Sequence, residues 1–371
     1  MHKTLACCLA SAILLAAHPA LAHHPVQAKF DAAQQASFNG LVTEVDWANP
    51  HVHVFVNRTD LPGTPNWAIE LPSPVELEWA GWRPDTLVAG DSISVEGPLA
   101  RNGSEQIWAD SIRKAGGSEV FTLPPDILAS QLGEPRNAPA PRWPDGHPRL
   151  GPEPGQSGYW SAPSLRALVE DGVSVAMDEH GLLANLDDAA KVAPLQDWAR
   201  DLYLYRQQNF LREDPLFLYC IPPGGPRIFQ VPYGVQFLEQ QRNERVTLLL
   251  AGGNSNWRLI PTDGRAQTGQ VTGNDNNPLF FGHGVGRWEG DSFVVDSVGF
   301  NESFWFSNGG LPHTRQLHLI ERFTRKDYDT LEYSVTIDDP GAYTRPWTST
   351  STLRWVANQE MPDYYCQDNR P

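Results

Sequence analysis

Cysteine is scarce in this chain: there are four in 371 residues, and two of them, Cys7 and Cys8, fall in an apolar stretch at the N-terminus. Basic residues are scarce too, with 28 Lys and Arg against 44 Asp and Glu and a formal charge of −16. No run of Lys or Arg interrupts this acidity, so nucleic acid and anionic membrane surfaces are poor partners, because both reward clustered positive charge. Beyond the N-terminus no stretch reaches the ~18 apolar residues of a membrane helix. Two catalytic signatures are absent as well. There is no Gly-x-Ser-x-Gly elbow and no His-Glu-x-x-His, which removes support for common hydrolase and zinc-protease chemistry.

What the N-terminus holds is a leader. His2 and Lys3 begin it, an apolar run extends from Leu5 to Ala17, and Ala20-Leu21-Ala22 is the small-x-small pattern that signal peptidase cuts. No lipobox precedes Cys7, so lipidation is not expected. Cleavage after Ala22 makes His23 the first mature residue and places the protein in the periplasm or outside the cell. Cys220 and Cys366 are then the remaining cysteines, and in an oxidising compartment they are expected to pair. Such a bridge closes a loop worth ~4–5 kcal/mol in the chain-entropy model. A catalytic thiol is the poorer reading, since exported free thiols are rare.

The periodicity predicts a mainly β protein. Five alternating runs, Phe38–Asp46, His51–Asn57, Asn66–Leu71, Asp91–Leu99 and Ile107–Arg113, surround one short helix over Ser73–Trp79. That order matches a five-stranded OB-like barrel over residues 23–115. Residues 116–157 turn to Pro, Gly and charge, which predicts a linker or an extended arm wrapped over a domain. Residues 158–371 are predicted to form a helix, Pro194–Glu213, followed by an antiparallel, lipocalin-like β-barrel. The helix would bury Leu195, Trp198, Leu202 and Tyr205. Barrel strands are expected at Arg245–Leu250, Asn256–Pro261, Ser292–Phe300, Gln316–Thr324, Leu331–Asp338 and Thr348–Val356, with hairpin turns at Gly252-Gly253-Asn254, Glu289-Gly290-Asp291 and Asp327–Asp329.

Several motifs carry a resemblance. His23-His24-Pro25, Val45-Asp46-Trp47-Ala48-Asn49-Pro50-His51 and Gly81-Trp82-Arg83-Pro84-Asp85-Thr86-Leu87 resemble a family of exported bacterial proteins of unknown function. Gly282-His283-Gly284-Val285-Gly286-Arg287-Trp288-Glu289-Gly290-Asp291 and Asp338-Asp339-Pro340 are similar to segments in the C-terminal part of its longer members. The resemblance implies no activity.

Two places could carry chemistry. A mature N-terminal His23 offers an amine and an imidazole to one metal ion, and His51 or His53, which share a strand face, could complete a copper(II) brace. Pro25 at the third mature position excludes the amino-terminal copper/nickel motif. The plainer alternative is a frayed terminus with solvent-facing histidines. The second place is the C-terminal barrel. Glu321 shares a face with Leu317, Leu319 and Phe323, and Asp296 with Val294, Val298 and Phe300, so each carboxyl would sit in an apolar row with its pKa raised, as acid/base catalysis needs. His313 and His283 could supply a proton partner, and Arg258, Arg287 and Trp288 could contact a ligand. Alternatively, an Arg such as Arg258 or Arg287 ties the inward carboxylate and merely fixes the barrel. Gly282-x-Gly284-x-Gly286 precedes no helix pattern and is no dinucleotide loop.

Three functions follow. The first is a periplasmic small-ligand-binding or accessory protein with an apolar barrel pocket, for a small apolar molecule or a saccharide. The second is an acid/base enzyme of isomerase, hydratase or cyclase type using Glu321, Asp296 and His313. The third is a copper protein built on His23.

Overall fold

The computed structural model describes residues 29–48, 51–116, 119–122, 132, 134–136, 138–161, 168–177, 181–230, 234–252, 255–267 and 279–361. The expected leader, His23, the turn at Gly253-Asn254 and Cys366 lie outside them.

The first barrel is built from β1 (Phe30–Asp46), β2 (His53–Arg58), β3 (Asn66–Glu70), β4 (Ser92–Ala100) and β5 (Gln106–Trp108). They run in the order β1-β2-β3-β5-β4, and β1 also pairs with β4, so the barrel closes. The β3 to β5 pairing is parallel. Helix α1 (Pro74–Trp79) joins β3 to β4 and starts as expected: Glu76 N–H donates to Ser73 Oγ, and Ser73 N–H donates back to the Glu76 carboxylate. Alternation fills the interior with Val54, Val56, Ile69, Ile93, Val95 and Ile107.

The expected strand Ile107–Arg113 is broken. It divides at Ala109-Asp110 into β5 and β6 (Ser111–Lys114), because β4 pairs with both pieces on either side of Gly97. A Cβ on Gly97 would lie 1.9 Å from the Trp108 carbonyl oxygen, so only glycine lets the two backbones approach this closely. A further strand, β7 (Glu119–Thr122), pairs with β6 inside the stretch expected to be linker.

The second barrel has nine strands: β8 (Gly158–Ser161), β9 (Val235–Gln240), β10 (Arg245–Leu250), β11 (Asn256–Pro261), β12 (His283–Glu289), β13 (Ser292–Val298), β14 (His318–Arg325), β15 (Thr330–Asp338) and β16 (Trp347–Ala357). Each pairs antiparallel with its chain neighbour except β11 with β12, and β8 pairs with β16. Parity explains the exception. Going round from β11 through β8 and β16 to β12 takes eight antiparallel steps, an even number, so β11 and β12 point the same way. Parallel neighbours cannot be joined by a hairpin, and no ladder joins these two among the described residues. The barrel is therefore nearly closed, with a seam.

Side chains bridge that seam over a strand without them. Gly284 and Gly286 of β12 face inward, where a Cβ would lie 3.3 Å from Arg258 Nη2 and 2.8 Å from Ile260 Cγ2 respectively. The glycine run Gly282-x-Gly284-x-Gly286 thus leads into a strand that admits Arg258 and Ile260 of β11.

The helices fall within the barrel's own sequence, after β8, and include α2 (Ala189–Val192), α3 (Asp197–Glu213) and α4 (Pro215–Tyr219). The face expected to be buried on α3 is corrected. Trp198 and Tyr205 are exposed, while Ala199, Tyr203, Gln207 and Phe210 face the core. Gln207 is tolerated there because it accepts from Leu183 N–H and donates to the Gly181 and Gly309 carbonyls.

The Pro-rich stretch is an arm rather than a free linker over its latter part. Arg136 pairs with Asp329 and Arg142 with Asp291, and Trp143 Nε1, Leu150 N and Gly151 N all donate to Glu239 of β9. Burial raises the Glu239 carboxyl above its ordinary pKa.

Candidate functional site

The inward rows of the second barrel hold Leu319, Glu321 and Phe323 on β14 beside Phe293, Val295 and Ser297 on β13. Glu321 is fully buried and bound at 2.5 Å by Arg258 Nη2, while Tyr333 OH donates to its other oxygen at 3.1 Å. Arg258 Nη2 also donates to Ser297 Oγ at 2.6 Å. Arg258 therefore reaches from β11 across the seam to β13 and β14, which is the structural alternative weighed for Glu321. Burial and the neighbouring carboxylate push the Tyr333 hydroxyl well above its ordinary pKa, so it acts as a hydrogen-bond donor.

The proposed acid/base partners are not brought together. Asp296 and Glu321 sit on β13 and β14 with opposite parity, since Val295, not Asp296, is the register partner of Glu321. Asp296 faces outward and accepts from His318 Nε2 at 2.9 Å. His313 is buried between the Phe304 and Phe306 rings, at 4.5 and 5.5 Å, with Nε2 3.1 Å from the Phe304 carbonyl. Its burial lowers its pKa, so the neutral ring donating that hydrogen bond is the favoured form. His283 lies on the outward face of β12, where its carbonyl accepts from Gln267. Arg287 is exposed and pairs with Glu289 at 2.6 Å. Trp288 stacks on His147 at 4.7 Å and leans on Phe293.

The barrel interior is filled rather than hollow around these groups. Phe229, Phe237, Phe293, Phe323 and Tyr333 form a contiguous set of rings, with Phe229 and Tyr333 only 4.3 Å apart. Space opens at one side, between β15, β16 and the segment 168–173, as a cavity of about 190 Å³. Its origin is legible in register. The inward row of β16 reads Trp347, Ser349, Ser351, Leu353, and the two serines stand opposite Val335 and Tyr333. Two small side chains between large ones leave the void. Phe229 and Tyr333 give it apolar surface, and Gln230, Ser349, Ser351 and Asp171 give it polar groups. The lining is thus mixed, where an apolar pocket was expected.

The first barrel gathers a different group. His53 opens β2 on its outward face and His51 lies just before the strand, and both meet Glu70 of β3, whose register partner is His53. Glu70 is 1 % exposed; it binds His51 Nδ1 at 2.5 Å, His53 Nε2 at 3.4 Å and Lys29 Nζ at 2.6 Å. His51 also stands edge-on to Trp108 at 5.6 Å. Glu70 and Lys29 were not singled out in the sequence, although pairing Asn66–Leu71 against His51–Asn57 places a carboxylate opposite the histidines. Among the described residues no three His, Cys, Asp or Glu side chains are arranged to hold a metal ion, so a metal on His51 or His53 would need a further ligand.

Residues 11–108 match the model of a family of unknown function, DUF6152. The resemblance read from His23-His24-Pro25, Val45–His51 and Gly81–Leu87 falls within that stretch, which spans the first barrel through β5. No curated protein matches the chain.

Proposed function

We propose that the protein is a periplasmic small-molecule-binding protein whose ligand occupies the cavity between β15 and β16. The observation that carries this reading is the pair of inward serines, Ser349 and Ser351, that holds a void open in an otherwise filled barrel. An acid/base enzyme finds less support, because Glu321 is consumed by Arg258 and Asp296 faces the other side of the sheet. The test is a thermal-shift screen of small molecules on the mature protein and on Ser351→Phe, which fills the void. Compounds that raise the Tm of the mature protein should leave that of Ser351→Phe unmoved. Equal shifts in both proteins would sink the proposal.

A second reading, favoured by the convergence of His51 and His53 on Glu70, is a copper(II) site completed by His23. Glu70 would hold His51 by Nδ1, the outer-sphere role that carboxylates play for metal-bound histidines, so Nε2 would be the ligating nitrogen. This reading rests on export and on cleavage after Ala22. It shares with the first the expected Cys220–Cys366 bridge, whose first member is buried at the end of α4. Intact mass before and after reduction reports both the cut and the bridge. On that verified sample, Cu(II) titration followed by EPR should show nitrogen coordination that weakens about tenfold or more when one alanine is added before His23. Unchanged affinity would remove the brace.

A further inference from the structure

We infer that the β15/β16 cavity takes an uncharged, polyhydroxylated molecule of about monosaccharide size, an inference that rests on the binding reading above. The size follows from the volume: about 190 Å³ lies below the ~300–1,000 Å³ of pockets for drug-sized ligands. The charge follows from the lining, whose described residues include no Lys, Arg or His. Its two carboxylates are committed elsewhere. Glu170 is held by Arg345 at 2.6 Å, and Asp171 accepts from the Thr350 N–H and hydroxyl, each at 2.8 Å. An anion would meet these carboxylates without a counter-charge, and a cation would have to compete with Arg345.

The polar groups left over define what the ligand must offer. Ser349 and Gln230 are 8 % and 7 % exposed, yet the Ser349 hydroxyl and the Gln230 amide NH₂ have no hydrogen-bond partner among the described residues; nor does the Ser351 hydroxyl. Gln230 uses only its carbonyl oxygen, which accepts from Asn308 N–H. Ser351 is half-buried, and all three groups line the void, so a ligand carrying both donors and acceptors would satisfy them together. Interleaved with them are the Phe229 and Tyr333 rings, 4.3 Å apart, Tyr333 beside Ser351 in the ladder and Phe229 next to Gln230 in the chain. Ring surface interleaved with hydroxyl and amide groups suits the C–H faces and hydroxyl edge of a sugar. The Tyr333 hydroxyl is turned away to Glu321 and presents only its ring.

Isothermal titration calorimetry on the mature protein tests this with glucose, galactose, mannose and inositol, set against gluconate, glucosamine and cyclohexanol. At least one uncharged polyol should bind saturably, and more tightly than every charged or apolar probe. Ser349→Ala and Ser351→Ala, which remove a hydroxyl with little change of volume, should each weaken it about tenfold, the equivalent of ~1.4 kcal/mol or one hydrogen bond. Circular dichroism should show both variants folded. Cyclohexanol binding that Ser351→Phe abolishes, with no polyol bound, would overturn the ligand class and leave the pocket reading standing. If polyol binding survives both alanine variants and Ser351→Phe, the inference and the pocket reading fall together; if no probe binds, the inference falls and the Ser351-dependent screen decides the pocket reading.

Discussion

Glu321→Ala is expected to destabilise the second barrel by about 3–5 kcal/mol, the usual loss when one partner of a buried ion pair is removed and the other is left uncompensated. Arg258 would keep its bond to Ser297 but would hold its charge in a ring of Phe and Val side chains. Arg258→Met should lose a similar amount, since it leaves Glu321 buried with only Tyr333 as donor. The double variant Glu321→Leu with Arg258→Met should recover most of the loss, because well-packed apolar replacements of buried pairs are often neutral. Chemical unfolding of the four proteins, followed by tryptophan fluorescence, compares them. A loss below ~1 kcal/mol for either single variant would mean that the pair is hydrated. A double variant as unstable as the single ones would mean that Arg258 holds the seam by its reach over Gly284 rather than by charge.

The course of the two barrels was legible wherever one face of a strand is wet and the other dry. The five strands of the first barrel, with Ser73 and Pro74 opening its helix, and the bounds of β10, β11 and, to within one residue, β15 follow from alternation and cap chemistry. What escaped has physical reasons. β8 is four residues, all buried, so it shows no alternation. β12 reads as a turn because Gly284 and Gly286 lack side chains where Arg258 and Ile260 cross it. Residues 304–313 are buried without regular structure, and no period announces such a segment. Asp296 was misjudged as a partner for Glu321 because each strand was read alone, and only the β13 to β14 register shows that their faces are opposite. The cavity could have been found from sequence: Ser349 and Ser351 interrupt a row of Trp347, Leu353 and Trp355 at inward positions.

Asp214→Ala should be as damaging as Glu321→Ala, about 3–5 kcal/mol, and should also act on the cavity from a distance. Asp214 does two things at once. It caps α4 by accepting from Leu216 N–H, and its two oxygens hold the fork of Arg227 at 2.9 and 2.5 Å, both side chains being almost wholly buried. Arg227 lies in the 3-10 turn Gly225–Phe229, and Pro226, Phe229 and the following Gln230 line the cavity. Arg227 Nε donates to the Asn308 side chain, and Asn308 N–H donates in turn to Gln230, so the ion pair fixes both the ring and the amide that face the void. Asp214→Asn keeps one oxygen, which can serve both the cap and one arm of the fork, but turns an NH₂ toward the other arm, so it should lose less stability than Asp214→Ala while loosening Arg227. At a temperature where Asp214→Asn is fully folded, its affinity for any ligand found in the Ser351-dependent screen should drop, although residue 214 is not part of the lining. Unchanged affinity in that folded variant would show that the wall is held by packing of Phe229 on Tyr333 alone, and that Arg227 serves stability only.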